Sequence, residues 1–196
     1  MKRTFLFRTG LAWVLALAAL TGIQAQRTLP GQKAVRVSAG LVNDFNLNPK
    51  SSNFAFYAGA GWAAYGRNSN FWKFEAGYLQ KGCPYKGISL PLSQFTAEAG
   101  YFLNLLSDRS GTLYFWFGIS ALAGYETINW GKKLLPDGAT LQNRDSFVYG
   151  GALTLEAQVF FCDSFSLLLT AKERMMQNSS AKFLPQVGLG FSYTIN

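Results

Sequence analysis

Every second residue is apolar across eight successive stretches of the chain, a period of two that favours β-strands over helices. The stretches run over about Ala34 to Val42, Asn53 to Tyr65, Asn70 to Lys81, Leu92 to Leu103, Thr112 to Glu126, Ser146 to Phe160, Ser164 to Lys172 and Phe183 to Ile195. Several reach the roughly 9 to 11 residues that a tilted strand needs to cross a bilayer. One face of each is apolar: Val35, Val37 and Leu41; Phe54, Phe56 and Trp62; Trp72, Phe74 and Tyr78; Phe95, Tyr101 and Leu103 in the first four. Phe115, Phe117, Ile119 and Tyr125, then Phe147, Tyr149, Leu153 and Leu155, continue the band. Phe165, Leu167 and Leu169, then Val187, Leu189, Phe191, Tyr193 and Ile195, complete it.

The opposite face carries Arg36, Lys73, Glu75, Glu98, Glu126, Glu156 and Lys172 together with Gly40, Gly59, Gly61, Gly77, Gly100, Gly118, Gly124, Gly150, Gly188 and Gly190. A charged face that looks at bulk water has no packing reason for so many glycines. The interior of a narrow closed barrel does, because eight strands leave room only for side chains, and large residues must alternate with absent ones. The fold expected is therefore all-β, an eight-stranded antiparallel up-and-down transmembrane β-barrel. Four of the five glutamates fall on the inner face, and charges buried there need partners.

Residues 1–25 have the layout of a secretory signal peptide: a basic start, an apolar run from Leu11 to Leu20, a break at Thr21 and Gly22, and Ile23-Gln24-Ala25 before the expected cleavage. The run is about ten residues, short of the roughly 20 that span a bilayer as a helix. Residues 26–33 then lead into a barrel domain at 34–196. Of 18 basic residues the leader removes Lys2, Arg3 and Arg8, so the formal charge of +8 falls to 15 − 10 = +5. The mature protein is expected in the outer membrane, in contact with its lipid. Cys83, in a Lys-Gly-Cys-Pro loop, and Cys162, in a Phe-Cys-Asp-Ser turn, are expected at opposite ends as free thiols.

With both termini at one end, the turns Gly66 to Ser69, Asn104 to Gly111 and Phe161 to Asp163 lie on that side. The links Asn43 to Ser52, Gly82 to Pro91, Thr127 to Asp145 and Glu173 to Lys182 lie opposite and are longer on average, as extracellular loops are in outer-membrane barrels. Tyr65, Trp72, Tyr78, Tyr125 and Trp130 fall near strand ends, where an aromatic girdle sits, although any of them also suits a plain core. In the last strand Gln186, Gly188, Phe191 and Tyr193 resemble the assembly signal of outer-membrane barrels, departing from it by continuing to Ile195 and Asn196.

The absence of histidine excludes Ser-His-Asp and Cys-His catalysis and, with only two cysteines, the usual zinc sites. No GxxxxGK loop supports nucleotide chemistry, no cofactor is implied, and the chain reads as a non-enzyme. With Arg174 counted, the inner charges balance at four of each sign, which favours a lumen-filling network over a catalytic carboxylate pair or an ion path. The outer links are net basic, through Lys50, Lys81, Lys86, Lys132, Lys133, Arg144 and Lys182 against Asp44, Asp137 and Asp145. Scattered solvated lysines explain this better than a nucleic-acid or glycolipid site, since no aromatic platform accompanies them. Asn178-Ser179-Ser180 matches a glycan acceptor in form and reads as loop composition.

Several patches resemble the TraO proteins of conjugative transposons in Bacteroides-type bacteria. They are Gln26-Arg27-Thr28-Leu29-Pro30-Gly31-Gln32-Lys33; Pro91-Leu92 followed by Thr96-Ala97-Glu98-Ala99-Gly100-Tyr101; and Gly118 to Gly131 with Ala123-Gly124-Tyr125-Glu126 and Ile128-Asn129. Asp137-Gly138-Ala139 followed by Asp145, Phe147, Tyr149, Gly150 and Gly151 adds a further patch, whereas Leu41 to Phe71 and the Cys83 loop are less similar. The resemblance implies a part in an envelope-spanning mating apparatus for DNA transfer, with other conjugation proteins as partners and no catalytic residues to carry over. A filled eight-stranded lumen does not pass nucleic acid, so the role is structural or in assembly. The alternative is a general small outer-membrane barrel acting as envelope stabiliser or adhesin. Oligomeric state is left open.

Overall fold

The computed structural model describes residues 28–43, 54–85, 88–132, 138, 140 and 145–195. The signal peptide expected at 1–25 lies outside the described residues, as do Lys50, Lys86, Lys133, Arg144, Asp44 and Asp137.

Eight antiparallel strands form one closed barrel in which each strand pairs with its sequence neighbours and the last with the first. They are β1 (Lys33–Val42), β2 (Ala55–Tyr65), β3 (Phe71–Tyr85), β4 (Ile88–Ser107), β5 (Leu113–Ile128), β6 (Asp145–Phe160), β7 (Phe165–Gln177) and β8 (Phe183–Ile195). Side chains alternate between the two faces along most of each strand. In β8 exposed and buried residues follow one another from Val187 to Ile195, with Phe191 60% exposed and its neighbour Ser192 1%. All the apolar positions assigned to one face of the alternation lie on the outside of the barrel, and the outward band includes Ile119, Leu155, Leu189 and Phe147 at 56% exposure or more.

The stagger of the strands is legible in the pairing. Direct partners lead from Val42 through Gln186, Lys172, Thr154, Gly118, Phe102, Phe71 and Tyr65. Tyr65 N then donates to Gln32 O at 2.9 Å, so one circuit returns to β1 displaced by 42 − 32 = 10 residues. For eight strands that stagger tilts each by about 40° and leaves an interior just wide enough for side chains.

Three of the expected connections are shorter than the sequence suggests. β3 and β4 stay paired to Tyr85 and Ile88, so most of the Gly82 to Pro91 link is strand, with Pro91 opposite Gly82 and Pro84 opposite Ser89, and Cys83 is a strand residue, not a loop residue. β4 continues to Ser107 past an irregularity between Asn104 and Leu106, and β7 continues to Gln177, which makes Glu173 a strand residue too. The cause is common to all three: ladder pairing with a neighbour persists where the alternation fades, and local pattern does not register the partner. Cys83 and Cys162 are free.

The turns at the termini end are tight. In the turn between β2 and β3, Asn68 and Ser69 both have positive φ. Ser69 O accepts from the Trp116 indole at 2.9 Å, which folds this turn under the barrel floor. In the β4–β5 turn the Ser110 hydroxyl donates to Asp108 and holds that exposed carboxyl below the usual range.

Candidate functional site

The inward positions of the eight strands stack into layers. At the termini end Tyr65, Phe71, Phe102, Tyr114, Trp116 and Phe160 form an aromatic floor with Ala34 and Ala63. Phe71 stacks on Phe102 at 4.7 Å and meets Trp116 edge-on at 5.3 Å, and Tyr114 stacks on Trp116 at 5.1 Å. Tyr65 belongs to this floor at 3% exposure and not to a girdle, because it shares the inward parity of Ala63. Trp72, Tyr125 and Trp130 do face outward.

Above the floor lies a belt of ion pairs. Arg36 on β1 is paired with Glu156 on β6 across the lumen, and its guanidinium sits over the Phe71 ring at 4.8 Å. Lys73 is 2.9 Å from Glu75 and 5.3 Å from the Phe102 ring centroid. Lys172 on β7 reaches Glu75 at 3.2 Å and Glu98 at 2.8 Å, tying β7 to β3 and β4. Arg174 meets Glu98 at 3.4 Å, and the Ser120 hydroxyl donates to Glu98 at 2.9 Å. All these charged side chains are at most 8% exposed. Charges so deeply buried persist only when paired, and removing one partner of such a pair is strongly destabilising.

Toward the opposite end Val42, Tyr57, Leu79, Leu92, Leu122, Val148, Met176 and Leu184 close an aliphatic layer, with the Tyr57 hydroxyl 3.2 Å from that of Thr170. A polar cap lies over it. Glu126 was expected to have a cationic partner; instead its partners among the described residues are neutral. It accepts from Gln94 Nε2 at 2.6 Å, Ser179 Oγ at 2.6 Å, and Ser180 N and Oγ at 3.0 and 2.7 Å. Ser146 Oγ donates to Asn178 O at 3.0 Å, so the short β7–β8 link is strapped across the mouth of the barrel.

The inward glycines leave room for these layers. A Cβ on Gly118 would fall in the Phe102 ring, and one on Gly188 would meet the Tyr57 hydroxyl. Within the segment that resembles an assembly signal, Gln186 and Gly188 point inward while Phe191 and Tyr193 point outward. The Gln186 amide is buried with neither atom hydrogen-bonded among the described residues.

The inward aromatic residues other than Tyr65, and Gln94, are not among the residues singled out from the sequence, and Ser179 and Ser180 enter there only within the Asn178-Ser179-Ser180 match. Counting in twos from Lys73 reaches Phe71, and from Glu156 reaches Phe160, so parity was the available signal for the floor. Nothing local marks Ser179 and Ser180 as partners of Glu126, which is 53 and 54 residues away. Among the described residues no group of three or more His, Cys, Asp or Glu could hold a metal ion.

The barrel is similar to Ail, the attachment invasion locus protein of Yersinia pestis, at a TM-score of 0.54 and 9% identity, over 85% of this chain and 100% of that one. The complex of Ail with the heparin analogue sucrose octasulfate matches at 0.54 and 10%, again over 85% and 100%. Neisserial surface protein A matches at 0.47 and 10%, over 84% and 97%. The likeness to Ail is one of fold: the chain has the architecture of a small outer-membrane barrel. No curated protein matches it. The model of the family described as conjugative transposon protein TraO matches residues 29–195, which take in all eight strands. With that span matched, the chain belongs to the TraO family of conjugative transposon proteins.

Proposed function

We propose that this protein is an outer-membrane component of a conjugative mating apparatus, with a structural or assembly role rather than a catalytic one. The observation that carries the reading is the filled lumen: an aromatic floor, an ionic belt and an aliphatic layer succeed one another along its length, leaving the outer face, the loops and the turns as working surfaces. Transferred DNA does not pass through such an interior. Residues 1–25 serve as a cleaved export signal, 26–33 lead into the barrel, and 34–196 insert into outer-membrane lipid. Gln186, Gly188, Phe191 and Tyr193 act in assembly, while Arg36, Lys73, Glu75, Glu98, Glu156 and Lys172 rigidify the lumen and Glu126 holds the strap. Other conjugation proteins are the partners.

The test is the mating frequency of a donor with an in-frame deletion of the gene, with and without a plasmid-borne copy. Loss of transfer restored by the plasmid is expected. Unchanged transfer would instead favour the second reading, a general envelope stabiliser or adhesin. That reading draws on the likeness to Ail, an attachment protein by name, and on Lys132, Lys182 and Trp130, exposed at the end of the barrel away from the termini.

A further inference from the structure

The lumen accounts for every glutamate but one. Glu173 lies on β7 two residues after Ala171 and two before Met175, directly beside Leu153 of β6 and Pro185 of β8, and its parity turns it outward. It is half-buried. Its Oε1 is closed off from solvent and makes no hydrogen bond, and no cation among the described residues is paired with the carboxylate.

Its depth matters. The outward row on β7 continues through Met175 to Gln177, and the neighbouring strands continue with Tyr149, Phe147 and Phe183, all strongly exposed and aromatic. At about 3.4 Å per residue and a tilt of about 40°, Glu173 sits about 10 Å below Gln177 and the polar rim. An acidic side chain on the lipid-facing surface is costly at that depth, and ionisable groups kept there mark functional contacts. Aromatic belts sit at headgroup level, so with the aromatic rows above it the carboxylate lies below the reach of a headgroup amine.

We propose that Glu173 is a docking point inside the membrane for another protein, whose membrane-spanning segment presents a lysine or arginine to this carboxylate. Charge complementarity selects the partner. A second copy of this chain brings no cation to that level: following the stagger round the ring, the outward residues there are Leu41, Ala58, Tyr78, Ala97, Ala121 and Val187. Gly151, outward on β6 opposite Met175, and Pro185 on β8 flank the carboxylate with small side chains and leave an incoming residue room. The inference rests on the membrane-barrel reading and not on the mating role.

The test places a benzophenone amino acid at Met175 in cells that carry the whole transfer element, with Glu173 native, Glu173→Asp or Glu173→Gln. Irradiation of the native and Asp forms is expected to give one protein adduct, whose cross-linked peptide is an apolar stretch containing Lys or Arg. The Gln form is expected to lose it at least tenfold, and Glu173→Lys paired with a Lys-to-Glu or Arg-to-Glu exchange in that peptide to restore it. An adduct indifferent to Glu173→Gln, an adduct with the mass of a second copy, or adducts to lipid alone would each overturn the proposal. Heat-dependent gel migration of each variant, recovered from membranes, shows that the barrel has folded. An inserted barrel without the adduct rejects this inference alone, whereas a soluble protein rejects the membrane reading with it.

Discussion

Phe102 fills the space that a side chain at position 118 would need, and it is held against Phe71 with no exposure of its own. Gly118→Ala is therefore expected to lower the unfolding free energy by about 1–3 kcal/mol, as overpacking does, and Phe102→Leu in the same chain to restore part of it. Urea unfolding in micelles, followed by tryptophan fluorescence, reads both. A larger loss is expected at Glu156→Gln, about 3–5 kcal/mol, because it leaves the Arg36 guanidinium buried without its carboxylate. Replacing both residues by leucine and methionine should cost less than the single change, and a double-mutant cycle checks it. The inward charges were legible at this scale, since a period of two puts Lys73 and Glu75 on the side of the glycines. The aromatic floor was harder to read: Phe71 and Trp116 have the right parity, yet their residue type suits lipid equally well.

Strand existence and facing were legible in the alternation, and strand ends were not. β3, β4 and β7 each outrun their pattern because pairing is decided by a neighbouring strand that local sequence does not encode. Glu173 is the case with consequences, since an acidic residue after a fading alternation reads as the start of a loop. Two elements give testable behaviour. Ile119→Arg, in the middle of β5 on the exposed outer face, should cost about 2–4 kcal/mol if that face meets the bilayer midplane, measured by unfolding from lipid vesicles. The β7–β8 strap is held by three hydrogen bonds to Glu126, from Ser179 Oγ and from Ser180 N and Oγ, and Gln94 Nε2 donates both to Glu126 and to Ser179 Oγ. Glu126→Ala should release it, so that protease added to intact cells cuts between Asn178 and Lys182 in the variant and spares the native chain.

The molecule as a whole is a cylinder sealed at both ends and paired at every seam. Reconstituted in planar bilayers, it is expected to carry no sustained ionic current, since aromatic and aliphatic layers lie on either side of the ion pairs; a steady ohmic step would contradict the packing. β1 and β8 meet along ten consecutive residue pairs, from Lys33 opposite Ile195 to Val42 opposite Gln186. The first edge to be synthesised is thus satisfied only by the last, and no partial length of the chain can close. Until the final strand arrives, both free edges and the whole apolar outer band are open to wrong partners. Closure of the barrel is consequently a single late event, because the ring cannot shut until its last strand is available.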